Sequence, residues 1–286
     1  MSKSKLKARP NRSLGGDLFV YFILIVFGVF FAYPLVYAIN NAFKPLNEIY
    51  LFPPKLFVKN PTMDNFADLF IIMSQSWVPF TRYIFNTVMI TLVGTVGHIL
   101  FASMGAYVLA KYRFPGSKFF FSLIVTTLMF SGYVTQIPNY LVMSALGWVD
   151  TYWSIIVPAF ASPMGFFLIK QFMDGIPDTL IEAAKIDGAK EGRIFVQIVM
   201  PMVKPAWLTA SIFSIQALWN TKASNFIYAE ELKTMPYALQ QIIAGGVARA
   251  GVGAAVTLFV MIVPILAFLF AQSNILETMA SSGIKE

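Results

Sequence analysis

The residues best placed to do chemistry lie between 172 and 201. Glu182 offers a carboxylate next to the small pair Ala183-Ala184, and Asp187-Gly188 follows within two helical turns. Thr179 and Glu182 have the T-x-x-E spacing of a capping box, which marks a helix start. Leu180, Ala183, Ala184 and Asp187 fall at helical spacings, and Gly188 is a natural C′ stop. A second helix is predicted from about Glu191 to Met200, ended by Pro201. The Ala183-Ala184 face can enter a groove on another protein, and Glu182 can pair with a partner's Arg. Alternatively, Glu182 only caps its own helix and the segment merely links two spans. Elsewhere the reactive inventory is sparse. The only histidine is His98, and there is no cysteine. Disulfides, iron–sulfur clusters and cysteine-held metals are excluded, and His98 reads as a packed polar residue.

The elements that must position this segment are membrane spans. The chain has 286 residues, is 57% hydrophobic and only 12% charged, and includes 28 Phe. Its mean hydropathy is +0.68. A soluble domain averages about 45–50% apolar and about 25% charged, so a soluble enzyme or a DNA-binding domain is excluded. Six apolar runs are long enough to cross a bilayer, which takes roughly 20 helical residues. They cover about Leu18–Ala42, Ile84–Ala110, Phe119–Pro138, Thr151–Phe172, Ala206–Phe226 and Gly253–Gln272. The organisation is then a basic N-terminus (1–17), a first helix (18–42), an extracytoplasmic loop (43–80), a domain of five spans (81–272) and a tail (273–286). The inner segment 173–205 lies within that domain. With this topology, 14 of the 21 Lys and Arg fall on the N-terminal side and seven on the other. The positive-inside rule places both termini in the cytoplasm. The +7 charge therefore calls for no nucleic acid. Ala102, Ala106 and Ala110, and Ala206, Ala210 and Ser214, have the spacing of close helix contacts. Pro158, Pro163 and Pro264 are expected to kink their spans or free carbonyls.

The order Glu182-Ala183-Ala184, Gly188, Ile198, Pro201 resembles the EAA motif of ABC importer permeases. The family usually has Leu before that proline, where this chain has Met200. The longer form with Asp187-Gly188-Ala189 resembles the carbohydrate-importer branch. Asn86-Thr87 is similar to the family's start of span two. Tyr107, Ala110, Arg113, Phe114 and Gly116 resemble its following turn, and Ile137-Pro138, Tyr140, Leu141, Leu146-Gly147 and Asp150-Thr151 its outer link. The likeness covers about Phe80–Gln272 and is similar to the smaller permease of a maltose-type pair. Gly283-Ile284-Lys285 loosely resembles that subunit's tail, with Glu286 in place of its final glycine.

The resemblance implies an all-α integral membrane protein: a type I ABC importer permease bundle of six helices with a cytoplasmic coupling helix. It implies a multi-pass subunit of a bacterial inner or plasma membrane, forming half of a pathway for a sugar or oligosaccharide. The implied partners are a second homologous permease, two ABC ATPase subunits, an extracytoplasmic sugar-binding protein and membrane lipid. Glu182 would contact the ATPase, Ala183, Ala184 and Gly188 would allow close packing in its cleft, and Asp187 would support the turn. The chain has no G-x-x-x-x-G-K-[ST] loop. ATP and Mg therefore belong to the partner, and this chain is expected to bind no cofactor and catalyse nothing itself. Gln136, Ser211, Ser214, Gln216 and Asn220, with Thr126 and Thr127, are candidate contacts for a neutral sugar, with Trp153 or Trp219 for stacking. The other reading of these residues is interhelical hydrogen bonding. The competing functions are a same-superfamily permease for amino acids, peptides or phosphate, a secondary transporter or channel subunit, a membrane enzyme and a scaffold. Ion-coupled carriers place charges within the membrane; spans two and three carry none, and span five only Lys222 near its outer end.

Overall fold

The computed structural model describes residues 14–282 apart from 76, 224, 247 and 248. Lys3, Lys5, Lys7, Arg9 and Arg12, and the Gly283-Ile284-Lys285-Glu286 tail, lie outside the described residues. Every regular element among the described residues is helical. In chain order these are α1 (Leu14–Ala42), α2 (Leu46–Ile49), α3 (Asp64–Ser74), α4 (Phe80–Lys111), α5 (Ser117–Thr127), α6 (Gly132–Ala145), α7 (Trp153–Phe160), α8 (Pro163–Asp174) and α9 (Asp178–Ile186). The next stretch consists of α10 (Glu191–Arg193), a π-helical turn (Ile194–Val199) and α11 (Met200–Met202). Then come α12 (Lys204–Trp219), a 3-10 turn (Glu230–Leu232), α13 (Met235–Ile243) and α14 (Ala250–Ser282). Four helical stretches are long and apolar enough to cross a membrane: Gly15–Ala42, Phe80–Lys111, Trp153–Asp174 and Ala250–Phe270. Two bent pairs bring the number to six if each is one span.

Three expected spans differ from straight helices. The run Phe119–Pro138 is split into α5 and α6, which meet at 111°. Ser131 takes the N-cap of α6 and accepts from the Tyr133 amide, so the polar Ser131-Gly132 pair restarts the helix. Pro138 lies inside α6 and closes nothing. The fourth span breaks at Ala161-Ser162 because Pro163 is the first residue of α8. A proline disfavours helical backbone in the residue before it, and Ser162 is extended (φ −63, ψ 115). The fifth span ends at Trp219 instead of Phe226 and lies at 79° to the Glu191–Met202 stretch. Pro264 sits within the continuous helix α14.

The chain divides into two units: residues up to Leu69 with Gly246–Leu258, and Phe70–Gly245 with the remainder of α14. In the first unit, α1 is apolar on every face, as a lipid-embedded helix requires. The loop after it is organised by buried polar residues. Lys44 donates to Asn41 Oδ1 at 2.8 Å and lies 5.2 Å from the Tyr37 ring centroid. Glu48 accepts from the Lys59 amide at 2.7 Å, and Asn65 donates to the carbonyls of Ala42 and Lys44. The sequence marks this stretch only as long and proline-bearing.

In the second unit, α4 is the spine. Its 32 residues extend about 48 Å at about 1.5 Å each, well beyond a hydrocarbon core of about 30 Å. Ala102, Ala106, Ala206 and Ala210 are buried, as their spacing predicts. Glycines bring the helices closer still. A Cβ at Gly94 would lie 2.5 Å from Leu218 Cδ1, at Gly97 2.1 Å from Phe160 Cε1, and at Gly105 2.9 Å from Phe166 Cε2.

The N-terminal end of α4 binds the 221–235 loop through side chains. Asn86 donates to the carbonyls of Glu231 and Lys233 at 2.8 and 2.9 Å and accepts from Tyr152 Oη at 2.7 Å. Thr87 Oγ1 accepts from the Met235 amide. Asp150, at φ 61, accepts from the Tyr228 and Ala229 amides. These bonds give Asn86, Thr87 and Asp150 their structural roles. Asn86→Ala leaves two loop carbonyls without their donor, so it is expected to cost about 1–3 kcal/mol. Thermal unfolding of the detergent-purified chain checks this, and an unchanged midpoint would refute it.

Candidate functional site

Pro177, with extended backbone, occupies the N-cap of α9, and Asp178 is the first helical residue. The Thr179–Glu182 capping box is therefore not formed. Thr179 already lies inside the first turn, and no side chain caps the helix. Instead, Asp178 Oδ1 accepts from Lys111 Nζ at 2.8 Å, and the same ammonium bonds the Ile176 carbonyl.

The other end of α9 closes as a Schellman motif. The Ala189 amide bonds the Ala184 carbonyl and the Gly188 amide bonds the Lys185 carbonyl, both at 3.0 Å. The motif requires left-handed backbone at Gly188, and its φ is +79. Among the described residues, nothing beyond its chain neighbours lies within 4 Å of a Cβ placed there. Lys185 then pairs with Glu191 at 2.8 Å, and Tyr107 Oη donates to the second Glu191 oxygen at 3.2 Å. Asp187 is the C-cap residue of α9 and is exposed.

The two alanines of the motif lie on different faces of α9, Ala183 exposed and Ala184 buried. Ala184, with Ile181, is buried against Ala106, Tyr107 and Ile194 of this chain. Glu182 and Ala183 are exposed, and Ile186 beside them is 86% exposed. At 100° per residue, Thr179, Glu182, Ala183 and Ile186 form one outward stripe. A helix of this length that holds an isoleucine outward offers an apolar contact flanked by a carboxylate.

The Lys111 ammonium, hydrogen-bonded to Asp178, holds its carboxyl below the ordinary value of 3.8. A depressed carboxylate stabilises above its unfolded pKa, and that contribution is lost as pH falls through the folded value. Amide exchange across Asp178–Ile186, corrected for intrinsic pH dependence, is expected to quicken below pH 3.8. The acid-dependent increase should be absent in Asp178→Asn, and an equal increase in that variant would refute the tie.

The candidate pathway residues are not brought together. Ser211 Oγ bonds the Trp207 carbonyl of its own helix at 2.7 Å, and Asn220 bonds the Gln216 carbonyl at 2.8 Å. Ser214 accepts from Thr95 Oγ1 at 3.2 Å, an interhelical bond to α4. Gln216 and Asn220, four apart, lie on a different face of α12 from Ser211 and Ser214. Gln136 is exposed on α6. Thr126 and Thr127 also bond carbonyls of their own helix. Trp219 is buried and donates to the Val260 carbonyl at 3.2 Å, so it packs the bundle, whereas Trp153 is 55% exposed. His98 is buried, with Nδ1 3.2 Å from the carbonyl of Phe160 at the α7–α8 break. A carbonyl only accepts, so Nδ1 carries the proton.

Sequence reasoning overlooked Lys111, Asp178 and Glu191. Their spacing from one another has no local signal, since the bond from Lys111 to Asp178 spans 67 residues.

Residues 99–279 match the family described as binding-protein-dependent transport system inner membrane component. The chain is 30% identical over 220 residues to the polygalacturonan/rhamnogalacturonan transport system permease protein YtcP of Bacillus subtilis, covering 77% of this chain and 74% of that protein. It is 28% identical over 292 residues to the arabinooligosaccharides transport system permease protein AraQ of Halalkalibacterium halodurans, covering 98% and 100%. A chain in the crystal structure of a bacterial ABC transporter involved in import of the acidic polysaccharide alginate has the same fold. There the TM-score is 0.76 at 24% identity, over 93% of this chain and 99% of that one. With its membrane-length helices, its helix–turn–helix segment after α8 and these matches, the chain belongs to the binding-protein-dependent transport system inner membrane component family and is a multi-pass membrane permease subunit.

Proposed function

We propose that this chain forms half of the translocation pathway of an ABC importer for an oligosaccharide, with α9 as the helix that couples it to a separate ATPase. The observation that carries this reading is the outward stripe of α9, where Glu182, Ala183 and the 86%-exposed Ile186 are covered by no element among the described residues. An exposed isoleucine beside a carboxylate is what a groove with an apolar floor and a basic rim would receive. Permeases named for polygalacturonan and arabinooligosaccharides support a saccharide cargo over amino acids, peptides or phosphate. The distribution of Lys and Arg supports cytoplasmic termini, which puts α9 on the ATP side.

The complete assembly would hold a second, homologous permease, two ATPase subunits that bind ATP and Mg, and an extracytoplasmic binding protein that delivers the cargo. Alternating access then follows from a two-state bundle whose inner segments move with the ATPases. Ser214 is assigned to the bundle through its bond to Thr95. Gln136 and Trp153 keep exposed groups for a sugar.

The test is purification from the native membrane in mild detergent. An ATPase and a second permease should accompany the chain, and the material should hydrolyse ATP. The co-purified binding protein, screened against fragments of plant cell-wall polysaccharides, should be stabilised by one class. A stable chain without an ATPase would refute the importer reading, and a binding protein that responds only to amino acids, peptides or phosphate would refute the cargo.

A further inference from the structure

We infer that the loop after α1 is a foot on the membrane surface: Leu51, Phe52 and Phe57 enter the interface beside the end of α1, and Lys55 and Lys59 hold the phosphate of an anionic phospholipid. This goes beyond the importer reading and needs only that α1 crosses the membrane.

The loop is folded back onto the last turns of α1. Val58 donates its amide to Asn40 Oδ1 at 3.2 Å, and the Thr62 amide bonds the Phe43 carbonyl at 2.9 Å. Lys44, just beyond the helix, bonds the Lys55 carbonyl. On the loop side, buried Glu48 accepts from the Lys59 amide at 2.7 Å. Tyr33 and Tyr37 stack in the last turns of α1 with centroids 6.3 Å apart, and tyrosines near the end of a membrane helix sit at the headgroup level. Asn40 is three residues further on, about 4.5 Å along the axis. Its bond to Val58 therefore holds the loop at that level, before any lipid binds.

The tip held there is apolar and open. Leu51 is 47% exposed, Phe57 66% and Phe52 94%. Scattered single residues of this kind are ordinary, but three on one preformed loop make a patch that water disfavours. Beside them, α1 is apolar and exposed around its circumference. The patch thus adjoins a surface that already faces lipid. A soluble partner would have to reach into the headgroup layer to cover it.

The charge on the loop has the matching sign. Lys55 and Lys59 are both exposed. The Lys59 ammonium beside Lys55 pushes its pKa below the ordinary 10.5, and the opposing pull of Glu48 is smaller. Among the described residues, no ion pair engages either lysine. Two like charges held together are relieved by an anion that accepts from both, and a phosphate has the oxygens to do so. Apolar side chains flanked by lysines are the pattern of interfacial membrane binding.

The chain has no cysteine, so Leu51→Cys carries one fluorophore. The labelled full-length chain is placed in nanodiscs of phosphatidylcholine that contain a fixed small share of lipid brominated in the upper acyl chain. The brominated lipid is phosphatidylcholine in one set and phosphatidylglycerol in the other. Both should quench. Phosphatidylglycerol should do so as if its share near the loop were about fivefold or more above its bulk share, the enrichment expected from even one basic residue at a charged surface. In Lys55→Gln/Lys59→Gln the two lipids should quench alike. In Phe52→Ser/Phe57→Ser both should quench less. Equal quenching with both lysines present would overturn the phosphate site, as would a preference that survives their replacement. No quenching by either lipid would overturn the foot and leave the loop as a face for a soluble protein. The comparison of the two lipids needs neither double variant, so a variant that fails to fold leaves the test standing.

Discussion

Gly165→Ala is expected to destabilise this chain, and His98→Ala is expected to recover much of the loss. Position 165 lies in α8, where alanine would ordinarily favour the helix by about 1 kcal/mol over glycine. The site reverses that preference. A Cβ there would stand 2.0 Å from His98 Nε2 and 2.8 Å from its Cε1, with Ala210 Cβ at 3.3 Å behind. The imidazole has no room to swing away, because it is buried and its Nδ1 is held by the Phe160 carbonyl. Overpacking of this kind costs about 1–3 kcal/mol. Removing the ring gives up the Phe160 bond but frees the space, so the two substitutions should couple with opposite sign to their separate effects. Unfolding midpoints of the four chains in one detergent measure the cycle. A Gly165→Ala chain as stable as the parent would show that the helices part without penalty, and additive losses would break the link to His98.

Glu182→Lys is expected to strip the ATPase from the purified complex while leaving this chain's own unfolding unchanged. The carboxylate is exposed on the outward stripe, so its reversal disturbs little inside the chain. Against a basic rim on a partner the same change creates repulsion, and losing one side of a close interfacial charge pair costs about 2–5 kcal/mol. A loss of about thirtyfold or more in ATPase affinity follows from the lower figure. Ala183→Trp should behave alike, since its Cβ also faces outward. Ala184→Leu should not: Ala184 is 8% exposed and packs inward, so the larger side chain should unsettle the chain itself. Gly188→Leu forces a side chain into left-handed backbone at about 1–2 kcal/mol and spoils the end of α9, although none of the described residues obstructs it. ATPase recovery and chain stability, measured on each variant, separate the outward from the inward residues. An ATPase fully retained by both Glu182→Lys and Ala183→Trp would move the contact elsewhere.

The sequence by itself determined the class, because composition decides which solvent a chain can face. With 57% hydrophobic residues and few charges, α1, α4 and α14 could only be membrane helices. The helix–turn–helix around Gly188 was legible as well, since Gly188 and the helical spacing of Leu180–Asp187 are local signals that act within a few residues. Local signals also misled. Thr179-x-x-Glu182 reads as a capping box, yet Pro177 takes the N-cap two residues earlier, and Asp178, the first helical residue, pairs with Lys111. Only the tertiary structure decided which alanine of the pair faces inward, since helical phase becomes fixed when Ile181 and Ala184 find the cluster around Ala106. The same holds for Ser214, whose hydroxyl serves Thr95, and for Trp219, whose indole serves Val260. Polar atoms in a membrane must be paired, and a linear pattern cannot say with what. The split of Phe119–Pro138 into α5 and α6 was decided in the same way: apolar length permits a span, but a chain of the right length is straight only where nothing restarts it.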